Sequence, residues 1–455
     1  MKIYRVGGAV RDQLLGKTPS DIDYVVTGGT SEEMEKLGYT QVGVDFPVYL
    51  HPTTKDEYAL ARIERKTGSK HTDFETFFDP SVKLEEDLSR RDLTINAMAE
   101  LVSDENGMVD AKDVVMIDPF NGRRDLENKV LRHVSPAFRE DPLRVLRLAR
   151  FTAKYTDFTI ADETMAMVQK MVLNGELKHL SADRVWEETK KAFLCEKPSN
   201  YIDALDKFGA LSYVFPDILK MKGVPQRADY HAEGDVFVHN QMVLDQASVL
   251  SKDLKENDKL LVRFGALFHD IGKAYTAYDL LYTTGEDGQI TVKGNHFGHD
   301  QKEVVEEKIK EAAKFIRIPN DFRDFAIDVA YVHQLVHDIK NLSPSKVVKM
   351  FNDLGLKNSL NKNMRYVDNL MMACHADSLG RLLTKDGQIV LPPQDYPQKK
   401  VFLKYANEYL NTQEELQDWM KRYKERNDKQ PSGDLIKSQM TQIRVNKVKK
   451  SKNEM

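Results

Sequence analysis

Cysteine is almost absent from this chain of 455 residues, which contains only Cys195 and Cys374. Two cysteines so far apart provide neither a disulfide framework nor a thiolate zinc site. The chain also lacks an apolar run long enough to span a bilayer, and its N-terminus enters Lys2-Ile3-Tyr4-Arg5 without the apolar core of a signal peptide. These absences predict a cytoplasmic protein without a membrane partner.

The chain also has no strong excess of positive or of negative residues, since its formal net charge is −4. This value argues against nucleic-acid binding over the whole surface, because phosphate binding relies on excess Lys and Arg. Segment 421–455 differs, with eleven Lys or Arg against four Asp or Glu. It either contacts phosphates or forms a disordered, solubilising end.

The length and the composition predict a globular protein. A chain of 455 residues exceeds one compact core, so about two to four domains are expected. Hydrophobic residues make up 41% and charged residues 30%, a balance typical of folded domains.

The first chemical signal is the stretch Gly7-Gly8-Ala9-Val10-Arg11-Asp12. Glycine lacks a Cβ, so the backbone at Gly8 can approach a triphosphate closely, while Arg11 supplies a charged donor fork. The sequence therefore predicts a phosphate-binding loop. Taken alone, a Gly-Gly pair is more often a simple turn.

A pair of carboxylates follows this loop nine residues later. The apolar run Tyr24-Val25-Val26 predicts a strand from Asp21 to Val26, on which Asp21 and Asp23 face the same side. Two such carboxylates bind one or two Mg²⁺ ions, which activate a hydroxyl and stabilise leaving pyrophosphate. The pair alone would more often be a solvated loop edge. Its closeness to the glycines favours a catalytic site for nucleotidyl transfer.

The segment from Ser89 to Met98 contains a second group of charges, Arg90-Arg91-Asp92. Arg91 is suited to a phosphate and Asp92 to a ribose hydroxyl. A surface ion-pair cluster at a helix start is the alternative interpretation.

The segment from Glu140 to Arg150 predicts a helix that Asp141 caps and Pro142 begins. Three arginines share one side of it: Arg144, Arg147 and Arg150. Stacked cations repel each other, which favours a bound anion over a solvated basic face. Asp141 with Arg144 also matches the donor and acceptor groups of cytosine and adenine and opposes those of uracil and guanine.

Further along, histidines and one aspartate follow the order of an HD phosphohydrolase: His239, His269, Asp270, His296 and His299. Imidazole with carboxylate suits Mn²⁺, Ni²⁺, Zn²⁺ or Fe²⁺, and a metal-bound water can attack a phosphate ester. The HD pattern expects a last aspartate where Gln334 stands. Asp338 and Asp328 are the candidate substitutes.

Together with Asp118-Pro119-Phe120-Asn121-Gly122, these motifs stand in an order that resembles the class II tRNA nucleotidyltransferases, the CCA-adding enzymes. The chain is similar to their bacterial, HD-bearing branch up to about residue 420, including 132–138 and 184–188. The resemblance implies an α+β protein with a polymerase-β-like head followed by an all-α neck, body and tail. It implies Mg²⁺ at Asp21 and Asp23, and CTP or ATP at Gly8, Arg11, Arg91, Asp141, Arg144, Arg147 and Arg150. To these nucleotide-binding residues we add Asp92, for the reason given above.

The sequence therefore predicts an enzyme that adds C, C and A to tRNA from CTP and ATP, as a monomer or homodimer. The resemblance also implies Ni²⁺ or Mn²⁺ at the HD site and 2′,3′-cyclic phosphodiesterase, 2′-nucleotidase and phosphatase activities for tRNA repair. We divide the chain into a head (1–140), a neck (141–225), an HD domain (226–345) and a tRNA-contacting tail (346–455). A poly(A) polymerase of the same superfamily and a non-catalytic nucleotide-binding HD protein are the alternatives.

Overall fold

In the computed structural model, the described residues are 1–19, 21–42, 48–66, 74–104, 107–110, 114–357 and 359–454. They divide into two units, one of residues 1–195 with 200–213 and the other of residues 196–199 with 214–455.

The first unit contains the strands β1 Lys2–Val6, β2 Asp23–Thr27, β3 Thr40–Val42, β4 Val48–Leu50, β5 Glu57–Leu60, β6 Arg62–Lys66, β7 Phe74–Phe78, β8 Ala99–Asp104, β9 Gly107–Met108, β10 Met116–Ile117 and β11 Val130–Leu131 of the predicted head, together with β12 Thr159–Ile160, which is an addition to the predicted helical neck. One sheet runs in the order β10, β8, β1, β2, β5, β4, β3, with β9 paired to β8. Strand β1 is antiparallel to both β2 and β8, whereas β2 and β5 are parallel.

Strand β2 is central and apolar side chains cover both of its faces. Val25 packs in a cluster with Val6, and Val26 packs in another cluster with Met34. Asp23 lies opposite Val6, the last residue of β1, so strand pairing brings Asp23 beside the following Gly7. The strand predicted from Asp21 begins two residues later, at Asp23.

The helices of the first unit are α1 Gly8–Leu14, α2 Ser31–Lys36, α3 Leu84–Ser89, α4 Gly122–Glu127, α5 Leu143–Lys154, α6 Asp162–Leu173, α7 Ala182–Phe193 and, except for its first residue, α8 Ser199–Phe208. Helix α5 begins at Leu143, one residue after the predicted start at Pro142, and the Asp141 carboxylate accepts a hydrogen bond from the Leu143 N–H (3.1 Å). The apolar positions from which we predicted it, such as Leu146 and Ala149, are buried.

The second unit is mostly helical: α9 Pro216–Leu219, α10 Val236–Leu250, α11 Glu256–Phe268, α12 Tyr278–Leu281, α13 Lys302–Phe315, α14 Asn320–His337, α15 Pro344–Asp353, α16 Leu360–Leu379, α17 Gln398–Leu410, α18 Gln413–Asn427 and α19 Gly433–Asn453. Helices α10, α11, α14 and α16 share one apolar core. Two hairpins are additions to the all-α prediction: β13 Tyr282–Thr284 with β14 Ile290–Val292, and β15 Leu383–Lys385 with β16 Gln388–Val390.

The basic C-terminal segment contains the end of α18 and the whole of α19, so the alternative of a disordered end is wrong for the described residues. Val448 is buried in the core of the second unit. Lys447 pairs with Glu415 (2.6 Å), and the Arg444 guanidinium lies 3.9 Å from the centre of the Tyr409 ring. Some of the basic side chains therefore dock helix α19. Among the described residues, no helix has both the length and the apolar character that crossing a membrane requires.

Candidate active site and metal cluster

A cavity of about 650 Å³ lies in the first unit, and all ten residues that the sequence predicted for nucleotide and Mg²⁺ binding line it: Gly8, Arg11, Asp21, Asp23, Arg91, Asp92, Asp141, Arg144, Arg147 and Arg150. Gly7 of the predicted phosphate-binding loop also lines it, as do residues without a predicted role: Arg90, Asn96, Leu143, Phe151, Lys154 and Arg184. Eight of the lining side chains are cationic and four are carboxylates. The cavity therefore favours a polyanion.

The glycine loop brings backbone close to the arginines of the cavity. Gly7 has φ 71°, which favours glycine, and a Cβ there would lie 2.7 Å from Nη1 of Arg91. Arg11 is only 5% exposed, and it donates to the carboxylate of Asp12 (2.8 Å) and to the amide oxygen of Asn96. Arg11 is thus held rigidly at the cavity wall.

Replacing Gly7 by alanine is expected to destabilise the fold by about 1–2 kcal/mol through its positive φ and to displace Arg91. The Michaelis constant for CTP should rise tenfold for each ~1.4 kcal/mol of lost binding. Gly16→Ala is the matched control, since Gly16 has φ 70° and no described atom lies within 4 Å of an added Cβ. Thermal unfolding and nucleotide titration separate the two effects. An equal rise in both variants would contradict a role for the loop.

The two predicted metal ligands lie on the same cavity wall, Asp23 at the start of β2 and Asp21 just before it. Burial raises the pKa of Asp23, the nearby Arg91 opposes this effect, and the negative charge of Asp21 adds to it. A divalent cation between the two carboxylates would remove that repulsion. The oxygen donors therefore suit Mg²⁺.

Asp92 has a different set of partners from the one predicted. Its carboxylate accepts from the Leu93 N–H (2.8 Å), from the Asn96 amide (2.9 Å) and from Arg147 (2.7 and 2.9 Å). These bonds hold the pKa of Asp92 well below its usual range despite its burial. Asp92 thus holds Arg147 in place at the cavity wall, and its binding of a ribose hydroxyl stays a prediction.

The arginine stripe on α5 is also neutralised differently from our expectation. Arg147 pairs with Asp92, and Arg150 donates to Glu188 (2.7 Å), a residue of α7 that is 3% exposed. Protein carboxylates thus balance part of the stripe, so its stacked charges alone do not require a bound anion. The argument for a bound anion rests instead on the excess of cationic over anionic side chains around the cavity.

The proposed base-reading pair is held by further contacts. Arg184 of α7 donates to the Asp141 carboxylate (2.8 Å). The Arg144 guanidinium donates to the main-chain carbonyls of Ala137 (2.6 Å) and Arg90 (2.5 Å). Both side chains of the pair are therefore fixed at the cavity wall, with Arg184 as an additional partner.

The second unit contains the predicted histidine and aspartate cluster. His239 on α10 and His269 at the end of α11 face each other, with their Nε2 atoms 3.3 Å apart. Oδ2 of Asp270 lies 3.2 Å from Nε2 of His269, and Oδ1 lies 3.2 Å from Nε2 of His299. These four predicted residues are therefore brought together, and burial leaves each of their side chains at most 10% exposed.

His296 is not a member of this cluster, and its prediction as a metal ligand is wrong. Its Nδ1 bonds with the Thr276 hydroxyl (2.7 Å) and its Nε2 with the Pro225 carbonyl (3.0 Å). Both ring nitrogens are thus used by the protein. Its main-chain carbonyl instead accepts from Nδ1 of His299 (2.6 Å).

A carboxylate that the sequence did not single out, Asp377 on α16, lies beside the HD cluster. Its Oδ1 lies 3.2 Å from Nε2 of His239 and 3.7 Å from Nε2 of His269. The two candidate substitutes are wrong. Asp338 is exposed and accepts from Asn341 (2.6 Å), whereas Asp328 accepts from the Tyr366 hydroxyl (2.7 Å). Gln334, where the pattern expects the last aspartate, is exposed on α14.

Two other buried residues join the cluster without having been predicted. Nε2 of His333 lies 3.4 Å from Oδ1 of Asp270. Glu233 is 3.0 Å from Nδ1 of His239, on the side of the ring that faces away from Asp377. A carboxylate behind a ligating histidine fixes its ring and tautomer. The donors present therefore fit a transition-metal ion.

Three parts of the chain match known families. Residues 3–132 match the poly A polymerase head domain, and residues 157–221 match the family described as a probable RNA and SrmB-binding site of polymerase A. Residues 236–381 match the HD domain, a range that includes Asp377.

Two curated relatives are similar to most of the chain, and both are named multifunctional CCA protein. The protein of Paraburkholderia phymatum is 46% identical over 382 residues, which are 84% of this chain and 85% of that one. The protein of Burkholderia ambifaria is 45% identical over 398 residues, 88% of each chain.

Solved structures share the fold at low sequence identity. A CCA-adding enzyme in an apo form superposes with a TM-score of 0.64 at 19% identity, covering 100% of this chain and 90% of that one. A CCA-adding enzyme with CTP has a TM-score of 0.59 at 20% identity, covering 98% and 87%. A Thermotoga maritima enzyme complexed with tRNA has a TM-score of 0.58 at 19% identity, covering 100% and 90%.

Proposed function

Because this chain belongs to the family of multifunctional CCA proteins, we propose that it adds C, C and A to the 3′ end of tRNA without a template, using CTP and ATP. The observation that carries the proposal is the cationic cavity in which the glycine loop and the Asp21–Asp23 pair meet. The chain is a nucleotidyltransferase, and its head and HD domains are of kinds that use divalent metal ions.

The chemistry follows from the cavity lining. The 3′-hydroxyl oxygen of the tRNA attacks the α-phosphorus, the new P–O bond forms, and the bond to the β-phosphate breaks to release pyrophosphate. Mg²⁺ at Asp21 and Asp23 would lower the pKa of the hydroxyl and stabilise the leaving group. Arg11, Arg91 and Arg150 would hold the triphosphate through charge-assisted hydrogen bonds.

Incorporation assays test this function against its nearest alternative. Purified protein is incubated with tRNA lacking CCA, tRNA ending in CC and a generic RNA, each with one nucleoside triphosphate. We expect CTP to be used by the first tRNA and ATP by the second, with no extension of the generic RNA. Extension of the generic RNA with ATP would instead indicate a poly(A) polymerase.

Base selection is proposed to reside in Asp141 and Arg144. Replacing Arg144 by alanine removes the donor for the ring nitrogen of C and A, a mismatch of about 1–3 kcal/mol. The preference for CTP over UTP in kcat/KM is expected to fall by about one to two decades. Because both substrates are measured with the same variant, a partial loss of active protein lowers both kcat/KM values equally and leaves their ratio unchanged.

Arg139→Ala is the matched control for this variant, because Arg139 is an arginine of the same unit that pairs with Glu176 (2.8 Å) outside the cavity. It should leave the CTP to UTP ratio unchanged. An unchanged ratio in Arg144→Ala as well would place base selection elsewhere in the cavity.

For the second unit we propose a phosphohydrolase that acts on phosphate esters at tRNA ends, including 2′,3′-cyclic phosphates, 2′-nucleotides and simple phosphomonoesters. Support comes from His239, His269, Asp270 and Asp377, which gather imidazole and carboxylate donors at one buried point. Such donors favour Ni²⁺ or Mn²⁺ over Mg²⁺. Hydrolysis of 2′,3′-cyclic AMP with each of these ions tests the proposal, and inactivity with all three would refute it.

The C-terminal part of the chain is proposed to contact tRNA phosphates, as the basic composition of 421–455 indicates. Lys449 and Lys450 are exposed on α19, in contrast to Lys447, which is half-buried. The affinity for tRNA, measured at increasing salt concentration, tests this surface, because binding that depends on phosphate contacts weakens steeply as salt is added.

A further inference from the structure

One of the eight cationic side chains that line the cavity of the first unit differs in kind from the others. Seven of them are arginines, and the eighth is Lys154, for which the sequence predicted no role. Arginine stays protonated in proteins, whereas a lysine ammonium can release a proton once its surroundings lower its pKa. Lys154 can therefore take part in proton transfer, which the seven arginines cannot.

Lys154 lies at the end of the cavity where the phosphates are expected. It is the last residue of α5, and Arg144 of the base-reading pair lies about 15 Å away near the start of the same helix. Nζ of Lys154 is 3.8 Å from Oδ2 of Asp12, and the Arg11 guanidinium is 2.7 Å from Oδ1 of that carboxylate. Asp12 thus places Lys154 beside Arg11, in the loop that would bind the triphosphate.

The ammonium protons of Lys154 are not held by Asp12. A separation of 3.8 Å exceeds the length of a hydrogen bond. The Asp12 carboxylate instead accepts from Nε of Arg11 (2.8 Å) and from the Tyr155 hydroxyl (3.3 Å). The Lys154 side chain is 35% exposed, so a phosphate oxygen in the cavity can accept a hydrogen bond from it.

The surroundings of Lys154 also make it a stronger acid. Burial lowers its pKa, and the charges of Arg11 on α1 and of Arg150 on α5 act in the same direction. Asp12 on α1 and Cys195, which follows α7, oppose this effect. A general acid works best when its pKa lies near the operating pH, so the net lowering favours proton donation.

The carboxylates of the cavity lining are committed to other partners. Asp21 and Asp23 are the proposed ligands of Mg²⁺, while Asp92 and Asp141 each form an ion pair with an arginine. The described residues that line the cavity include no histidine, cysteine or tyrosine. Lys154 is therefore the group among them that can supply a proton to the leaving pyrophosphate.

We propose that Lys154 is the general acid of nucleotide addition, donating a proton to the oxygen between the α- and β-phosphates as its bond to the α-phosphorus breaks. Pyrophosphate leaves with that proton, and the neutral amine regains one from water. The proton of the attacking 3′-hydroxyl goes to water, so the protons balance. The inference rests on the proposed nucleotidyl transfer and adds a catalytic residue to it.

Replacing Lys154 by arginine tests this role, because it keeps the positive charge but removes the proton that can be donated. In single-turnover assays with tRNA lacking CCA, the rate of CTP addition should fall about a hundredfold or more, as for the loss of a general acid. The affinity for CTP should stay close to that of the parent. Lys190→Arg is the matched control on α7, where Lys190 pairs with Glu187 (2.8 Å) outside the cavity, and it should keep the parent's rate.

A comparison of leaving groups separates proton donation from a change in packing. CTP analogues with CF₂ or CH₂ in place of the β,γ-bridging oxygen release a weaker or a stronger base, respectively. Protonation by Lys154 reduces the effect of this difference on the rate. The ratio of the CF₂ rate to the CH₂ rate should therefore be larger by about tenfold or more in Lys154→Arg and Lys154→Met than in the parent. A partial loss of active protein leaves this ratio unchanged.

The pH dependence of the single-turnover rate gives a further readout. A general acid acts only in its protonated form, so the parent should lose activity on the alkaline side as Lys154 loses its proton. Lys154→Arg should show no such loss, because arginine stays protonated. An alkaline loss of the same size in both proteins would contradict the assignment.

The outcomes distinguish this inference from the proposed function. A parent protein that does not add CTP would refute the proposed function, and the inference with it. If the parent adds CTP and Lys154→Arg matches its rate, the inference fails while the function stands. A slower Lys154→Arg with the leaving-group ratio of the parent would also overturn the inference, since Lys154 would then contribute only charge or packing.

Discussion

Replacing Asp21 or Asp23 by alanine is expected to lower the rate of nucleotide addition by about a thousandfold or more. The carboxylates are the oxygen donors of the cavity that suit Mg²⁺, and a metal ion supplies several kcal/mol of stabilisation to the transition state of phosphoryl transfer. Each 1.36 kcal/mol lost is a factor of about ten in rate. The measurement is the rate of CTP incorporation into tRNA lacking CCA, followed by that of ATP into tRNA ending in CC.

Two comparisons make this result specific. Asp157→Ala removes an exposed carboxylate of the same unit that pairs with Lys129 (2.5 Å), and it should leave the rate unchanged. Hydrolysis of 2′,3′-cyclic AMP by the Asp21 and Asp23 variants should match the parent protein, because the HD cluster uses other ligands. Full incorporation activity in both variants would refute the metal assignment.

The nucleotide-binding cavity of the first unit was predictable from the sequence because its functional residues lie in a few short segments. The glycine loop, the Asp21–Asp23 pair and the arginines of α5 each lie within a few residues, so spacing alone places their side chains together. Strand pairing then brings the segments to one cavity, since Asp23 lies opposite Val6. The α+β fold with a helical second half was confirmed for the same reason, because local periodicity determines most of its elements.

The partners within that cavity were not predictable, because they depend on which helices pack together. Glu188 and Arg184 lie in a segment that carried the family resemblance, yet their contacts with Arg150 and Asp141 arise from α7 lying against α5. No spacing within one segment reveals such a pairing. For the same reason, the contact between Asp92 and Arg147 was not predicted.

The HD site shows the same limit over a longer range. Asp377 meets His239 although 138 residues separate them in sequence. The prediction looked for the carboxylate beside His333, where Asp338 and Asp328 offer the right residue type. Helix α14 directs His333 into the core but leaves Asp338 exposed at its C-terminal end. Asp377 stands in a stretch without a motif, in the part of the chain that we had assigned to the tail.

The assignment of Asp377 leads to the second large effect. Asp377→Asn keeps the size of the side chain but removes the anionic oxygen that lies 3.2 Å from Nε2 of His239. Loss of a group that only orients a ligand costs about 10–100-fold in metal affinity or activity. Loss of a ligand should cost at least as much, so hydrolysis of 2′,3′-cyclic AMP is expected to fall about a hundredfold or more.

The two rejected candidates provide matched controls. Asp338→Asn and Asp328→Asn make the same chemical change at positions where the carboxylates bind Asn341 and Tyr366. Both should retain the kcat/KM of the parent for hydrolysis, and all three variants should add CCA normally. The affinity for Mn²⁺ gives a second readout, because it should weaken in Asp377→Asn and stay unchanged in the controls. If Asp338→Asn or Asp328→Asn lost metal and activity while Asp377→Asn kept both, the last ligand would be that residue instead, since only a group bound to the ion changes its affinity so strongly.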